Sequence, residues 1–143
     1  FWFSSDQFYT STAGTGANYQ VRMYNGNGLV GSIVTDGSAT AFNTSSDYRL
    51  KENVSYTWDA TTRLKKLKPA RFNFIADDTN TLVDGFLAHE VSSVVPEAIT
   101  GEKDGEEMQS IDQSKIVPLL VKALQEQQTT IEALTARITT LEG

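Results

Sequence analysis

Cysteine is absent from all 143 residues. That removes disulfides, thiolate metal sites and cysteine nucleophiles together. It leaves the compartment open, because many extracellular proteins also lack disulfides. Histidine occurs once, at His89. A single imidazole with no cysteine and no second histidine is a poor ligand set, so His89 reads as a structural side chain beside Glu90, and no metal or cofactor is expected. Positive charge is scarce as well: 12 Lys and Arg stand against 18 Asp and Glu, a net charge of -6. Such a balance argues against a nucleic-acid-binding surface. No apolar run approaches the roughly 20 residues that a bilayer-spanning helix needs, so no membrane partner is expected. The start at Phe1-Trp2-Phe3, without a signal-peptide pattern, reads as a piece cut from something longer. The hydrophobic fraction of 39% allows one ordinary domain or a smaller one with an appendage.

What is present changes character along the chain. Gly, Ser, Thr and Asn make up 23 of the first 46 residues, and only Asp6, Arg22 and Asp36 are charged there. Tyr19 to Tyr24 alternates with period two and reads as a strand. Asn25-Gly26-Asn27-Gly28 is a turn signal, Leu29 to Val34 a second strand, and Asp36-Gly37 a second turn. Two or three short strands are marginal in water. The segment therefore reads either as a loose linker or as strands completed by copies from other subunits, as in an intertwined fibre shaft. The aromatic residues Phe1, Trp2, Phe3, Phe8 and Tyr9 suit the inside of such a fibre, or contact with a host receptor.

Beyond residue 46 the composition becomes charged and aliphatic. Asp59 is placed to cap a helix over 60–67, with Leu64 and Leu67 on one face and Pro69 ending it. Residues 71–75 and 84–88 read as strands, with Gly85 permitting close backbone approach, and 90–95 as a short helix stopped by Pro96. Residues 98–100 and 108–111 read as a hairpin. Asp77 and Asp78 read as a solvated loop, and the acidic run from Glu102 to Glu107 lacks calcium-loop spacing.

From about residue 112 the pattern is helical. Val117, Leu124, Ile131 and Ile138 fall seven apart, and Leu120, Gln127, Leu134 and Leu141 repeat the spacing offset by three. That is an a/d seam of four heptads with one polar position, Gln127, suited to setting register. Val or Ile at a with Leu at d leans toward dimers, so the heptads by themselves do not argue for three strands. Pro118 falls near the helix start, where it is best tolerated.

Between the two halves lies Ser45-Ser46-Asp47-Tyr48-Arg49-Leu50-Lys51, with a hydroxyl, a carboxylate, a guanidinium and an amine within six residues. A serine becomes a nucleophile when a base takes its proton, and a lysine serves as that base once burial or nearby positive charge favours its neutral form. Such a pair needs no histidine. Arg49 is placed to disfavour the Lys51 ammonium, to hold Asp47, or to steady an oxyanion.

The longer pattern Ser46-Asp47-x-Arg49-Leu50-Lys51-x-x-Val54 resembles the signature of the C-terminal intramolecular chaperone domain of phage tail spikes and tail fibres, the peptidase S74 family. Leu64-x-x-Leu67-x-Pro69-x-x-Phe72, then Gly85 to Val91, then Val117 to Glu126 follow in the family's order. The resemblance covers about residues 34–143. Val54 stands where isoleucine is common and His89 where glutamine is frequent.

The resemblance implies an α+β fold: a fibre stalk of short, intertwined trimeric β-strands over 1–46, then a chaperone domain over 47–143. That domain divides into a small α+β part, 47–110, and a long coiled-coil helix, 111–143. It implies a homotrimer that registers its own N-terminal shaft and then cuts itself free. Ser46 is then the nucleophile and Lys51 the base. Asp47 and Arg49 belong to the motif with their roles open. The family pattern places the cut at Ser46–Asp47. A cut at Ser45–Ser46 competes chemically, because Ser46 Oγ reaches the Ser45 carbonyl through a five-membered ring, whereas attack on its own carbonyl needs a four-membered one. The mature fibre is expected in the virion, and the chaperone piece is expected to be released in the host cytoplasm. Two alternatives stand beside this: a non-cleaving trimeric end-domain, and a receptor-binding tip.

Overall fold

The computed structural model describes residues 2–4 and 7–143. It divides into two compact units, Phe1–Ser55 and Tyr56–Gly143.

In the first unit, β1 (Trp2–Ser4) and β2 (Gln7–Tyr9) form a small antiparallel hairpin. The placement of Phe1 lies outside the described residues. The strands β3 (Asn18–Asn25), β4 (Gly28–Asp36) and β5 (Ala39–Thr44) form an antiparallel meander with β4 in the centre. The turn expected at Asn25-Gly26-Asn27-Gly28 closes the first hairpin. Asn25 pairs with Gly28, Asn25 Oδ1 accepts from the Asn27 amide at 2.8 Å, and Gly28 takes φ 94°, a conformation open to glycine at no steric cost. Gly37, at φ 58°, serves the second turn. The period-two reading of 19–24 is interrupted by a register shift between Tyr19 and Val21. The sheet has no second layer among the described residues of this unit: only Ser32 is buried, and Tyr19, Met23, Tyr24, Leu29 and Phe42 are exposed. The third strand, Ala39–Thr44, is wholly exposed.

The second unit has one small core. Helix α1 (Ala60–Leu64) starts at Asp59, whose Oδ1 accepts from the Thr62 amide at 2.9 Å as the sequence predicts. The expected helix to residue 67 is shorter, because the last turn tightens into i→i+3 bonds from Lys66 and Leu67 before Pro69. The strands β6 (Ala70–Phe72) and β7 (Val83–Gly85) pair antiparallel, each shorter than the sequence suggests. Helix α2 (Ala88–Val91) begins two residues earlier than expected. The hairpin of β8 (Ile99–Thr100) and β9 (Ser110–Ile111) falls where it is read. Helix α3 (Val117–Glu142) has Pro118 in its first turn. Val91, Val94, Val95 and Ala98 pack with Ala60, Leu67, Ile116, Leu119 and Ala123. Ile116, which caps the start of α3, and Leu119 and Ala123 within it recur at helical spacing, so one face of the first turns closes this core.

Candidate functional site

The seam lies wholly in the first unit and is built from its sheet. Ser45 continues from β5, and its amide donates to the Val30 carbonyl at 3.1 Å while its Oγ donates to the Leu29 carbonyl at 2.8 Å. Both acceptors are on β4, so the chain is pinned one residue before Ser46. Immediately after Ser46 the chain makes a 3-10 turn, Tyr48–Leu50. Asp47 opens it, with Oδ1 accepting from the Arg49 amide at 2.9 Å. The turn closes through Leu50 N to Asp47 O at 3.1 Å and Lys51 N to Tyr48 O at 3.0 Å.

This turn reverses the chain and brings Lys51 back onto Ser46. Lys51 Nζ donates to Ser46 Oγ at 2.8 Å and to the Ser46 carbonyl oxygen at 3.1 Å. The two residues that the sequence singled out are therefore in contact. The second contact was not foreseen. It lies on the carbonyl of the Ser46–Asp47 peptide, and a cation on a carbonyl oxygen withdraws electron density from its carbon. Both residues are exposed in the single chain.

Arg49 makes a fork on Asp47: Nε to Oδ1 at 2.9 Å and Nη2 to Oδ2 at 2.8 Å. The guanidinium, then the Arg49 amide, hold the Asp47 carboxyl below its usual range, and the Lys51 ammonium adds to this. Asp47 in turn raises the Arg49 guanidinium. Of the three roles open to Arg49, holding Asp47 is the one the geometry displays.

The heptad positions lie on one stripe of α3, and Gln127 keeps its place among them. Val117, Leu120, Leu124, Ile131, Leu134, Ile138 and Leu141 are all exposed. Leu119 and Ala123, one step round the helix, are the residues that face the core. From Gln127 onward every residue of α3 is exposed. This half is a poor helix former on its own. Threonines 129, 130, 135, 139 and 140 are β-branched, and each bonds its hydroxyl to the carbonyl four residues earlier.

His89 sits on α2 and is exposed. Its neighbour Glu90 accepts from Lys68 Nζ at 3.1 Å. One polar residue that sequence reading passed over is Glu126. Its carboxylate leaves α3 to accept from the amides of Ala60 and Thr61, at 3.1 and 2.8 Å, and from the Thr61 hydroxyl at 2.6 Å. It caps α1 from another helix. No sequence signal marks it, because the partner amides lie 65 and 66 residues away.

A search of curated proteins finds no match. A family model does match, over residues 46–100, and it begins on Ser46 and spans the turn, α1, β6, β7 and α2. Over that stretch the chain matches the Peptidase S74 family model, described as chaperone of endosialidase.

Proposed function

We propose that this chain is the end of a phage tail fibre or tailspike whose chaperone domain assembles three copies, sets the register of their β-shafts, and then cuts itself off at the Ser46 seam. The family implies a chaperone-type function. The observation that carries the finer reading is the Lys51 ammonium resting on both oxygens of Ser46, at the first residue of the family match.

Assembly is supported by the helix. Isolated helices shorter than about 12–15 residues are marginal in water even when alanine-rich, and the exposed, threonine-rich half of α3 from Gln127 onward is little longer and a poorer helix former. A bare apolar stripe on such a helix is stabilised by lying against another like it, and the copies of this chain supply that partner. The three-stranded meander has the same need for a second layer. Intertwined β-structure assembles slowly because its contacts are distant in sequence. Helices that associate first raise the local concentration of the strands.

The bond favoured by the geometry is Ser46–Asp47, since its carbonyl oxygen is the one Lys51 touches. A nucleophile adds to the Ser46 carbonyl carbon, the oxygen takes up negative charge beside Lys51, and the C–N bond breaks. The Asp47 nitrogen leaves with a proton, and Ser46 ends as a carboxylate. Ser46 Oγ does not attack its own carbonyl, because the ring would have four members. The nucleophile is therefore water activated by the Ser46–Lys51 pair, or a hydroxyl from another copy, in which case the ester formed on the Ser46 carbonyl is hydrolysed by water in a second step to the same carboxylate. A lysine in the open is protonated at neutral pH. Burial between subunits favours its neutral form, which makes cutting wait for assembly. Once the nucleating helix is gone, the shaft has no rapid route back and its stability becomes kinetic.

The test is a side-by-side preparation of the wild-type chain with Ser46→Ala and Lys51→Ala. Freshly assembled wild type should run as two fragments on a denaturing gel, and both variants as intact assembled chains. Intact wild type in a fully assembled state would sink the cleavage reading and leave the non-cutting end-domain.

A further inference from the structure

The cleavage reading leaves Asp47 and Arg49 without a task, yet they make the most complete side-chain pairing of the seam. Resting on that reading, we propose that Arg49 is a positioning residue that occupies the Asp47 carboxylate and so keeps Lys51 on Ser46.

Three observations converge. First, Asp47 flanks the bond to be cut and shares a single 3-10 turn with Lys51, which ends that turn. A free carboxylate there, at the other end of the same turn, is an anionic competitor for the Lys51 ammonium, whose charge already acts on it. Second, both carboxylate oxygens are already taken. Oδ1 accepts from the amide and Nε of Arg49, and Oδ2 from its Nη2. A fork of this kind satisfies the carboxylate in its plane, a geometry that lysine does not reproduce. Third, Lys51 Nζ is found at 2.8 and 3.1 Å from the two Ser46 oxygens. Exposure of Arg49 does not weaken the point, because a two-residue chelate is closed by local geometry rather than by burial.

The consequence is specific in sign. Removing Arg49 leaves an anion beside Lys51. The ammonium is drawn toward it, away from Ser46. Removing the negative charge of Asp47 in the same molecule abolishes the competitor. An Asn at 47 still offers an oxygen to the residue 49 amide and preserves the turn. Two defects that merely loosen the turn would add. Two that act through competition for Lys51 cancel.

The experiment uses the full chain, with assembled protein isolated at once and the intact fraction followed in time. Arg49→Gln should cut about fivefold more slowly than wild type, the scale of one exposed charge pair. Asp47→Asn/Arg49→Gln should cut faster than Arg49→Gln alone. Arg49→Lys, which keeps the charge but not the planar fork, should lie between wild type and Arg49→Gln, and it serves as the single variant if Arg49→Gln does not assemble. A double variant as slow as, or slower than, the single one overturns the proposal, as does Arg49→Gln cutting at the wild-type rate. Either result leaves cleavage itself standing. Intact wild type under the same conditions instead removes the cleavage reading on which the proposal rests.

Discussion

Two leucines of α3 separate folding from assembly. Leu119 is 3% exposed and packs in the domain's own core, whereas Leu134 is 49% exposed and touches none of that core. Leu119→Ala removes buried methyl groups and leaves a cavity, at about 2–5 kcal/mol. That loss should appear in urea melts whatever the protein concentration. Leu134→Ala should hardly alter the folding of a single chain. Its effect is on association: burying the exposed half of a leucine stabilises by about 1 kcal/mol, or about 3 kcal/mol over three copies. The trimer association constant should therefore fall by about 100-fold, since each 1.4 kcal/mol is tenfold. Sedimentation equilibrium over a range of concentrations, with cleavage blocked by Ser46→Ala in every sample, reads this directly. A Ser46→Ala parent that stays monomeric at tens of micromolar refutes the seam. So does a Leu134→Ala protein that associates as well as its parent.

The cross-helix cap at Glu126 predicts an acid limb. The Thr61 hydroxyl, with the Ala60 and Thr61 amides, holds the Glu126 carboxyl below its ordinary value. A group with a lowered folded-state pKa contributes stability above its unfolded value and loses it as pH falls through the folded one. Stability should therefore decline as pH drops below the usual glutamate range, and Glu126→Gln should be less stable at neutral pH with a shallower decline, measured by urea melts at stepped pH. Gly85→Ala should destabilise the second unit by about 1 kcal/mol, because an added Cβ would lie 3.2 and 3.3 Å from Cε1 and Cζ of Phe72. A thermal melt superimposable on wild type would show that the ring moves aside freely.

Elements whose signal is local were legible before the structure. The Asp59 cap and the turn at Asn25 to Gly28 depend on neighbours within a few residues, and the hairpin of Ile99 with Ile111 and the heptad stripe on a pattern within one continuous stretch of chain. Boundaries were less so. The strand expected over 71–75 stops at Phe72, and Phe74 and Ile75 stand exposed in the loop that follows. Alternation of apolar residues continues there, but no partner strand does. The strand Ala39–Thr44 went unassigned because it is short and has no buried face to give it a period. At the seam, the types Ser46 and Lys51 were readable, whereas the approach of Lys51 to the Ser46 carbonyl depends on a turn closed by Asp47. Glu126 shows the limit most plainly: its function is set by a contact between segments distant in sequence, and only folding brings them together.

The most direct measurement is the intact mass of the fragments from freshly assembled wild-type chain. Cleavage at the Ser46–Asp47 bond predicts two species, residues 1–46 ending in a free carboxylate and residues 47–143 beginning with a free Asp47 amine, with one water gained in their sum. Both should be missing from Ser46→Ala and from Lys51→Ala. A single species at the mass of the uncut chain, in a sample shown to be trimeric, contradicts the central claim.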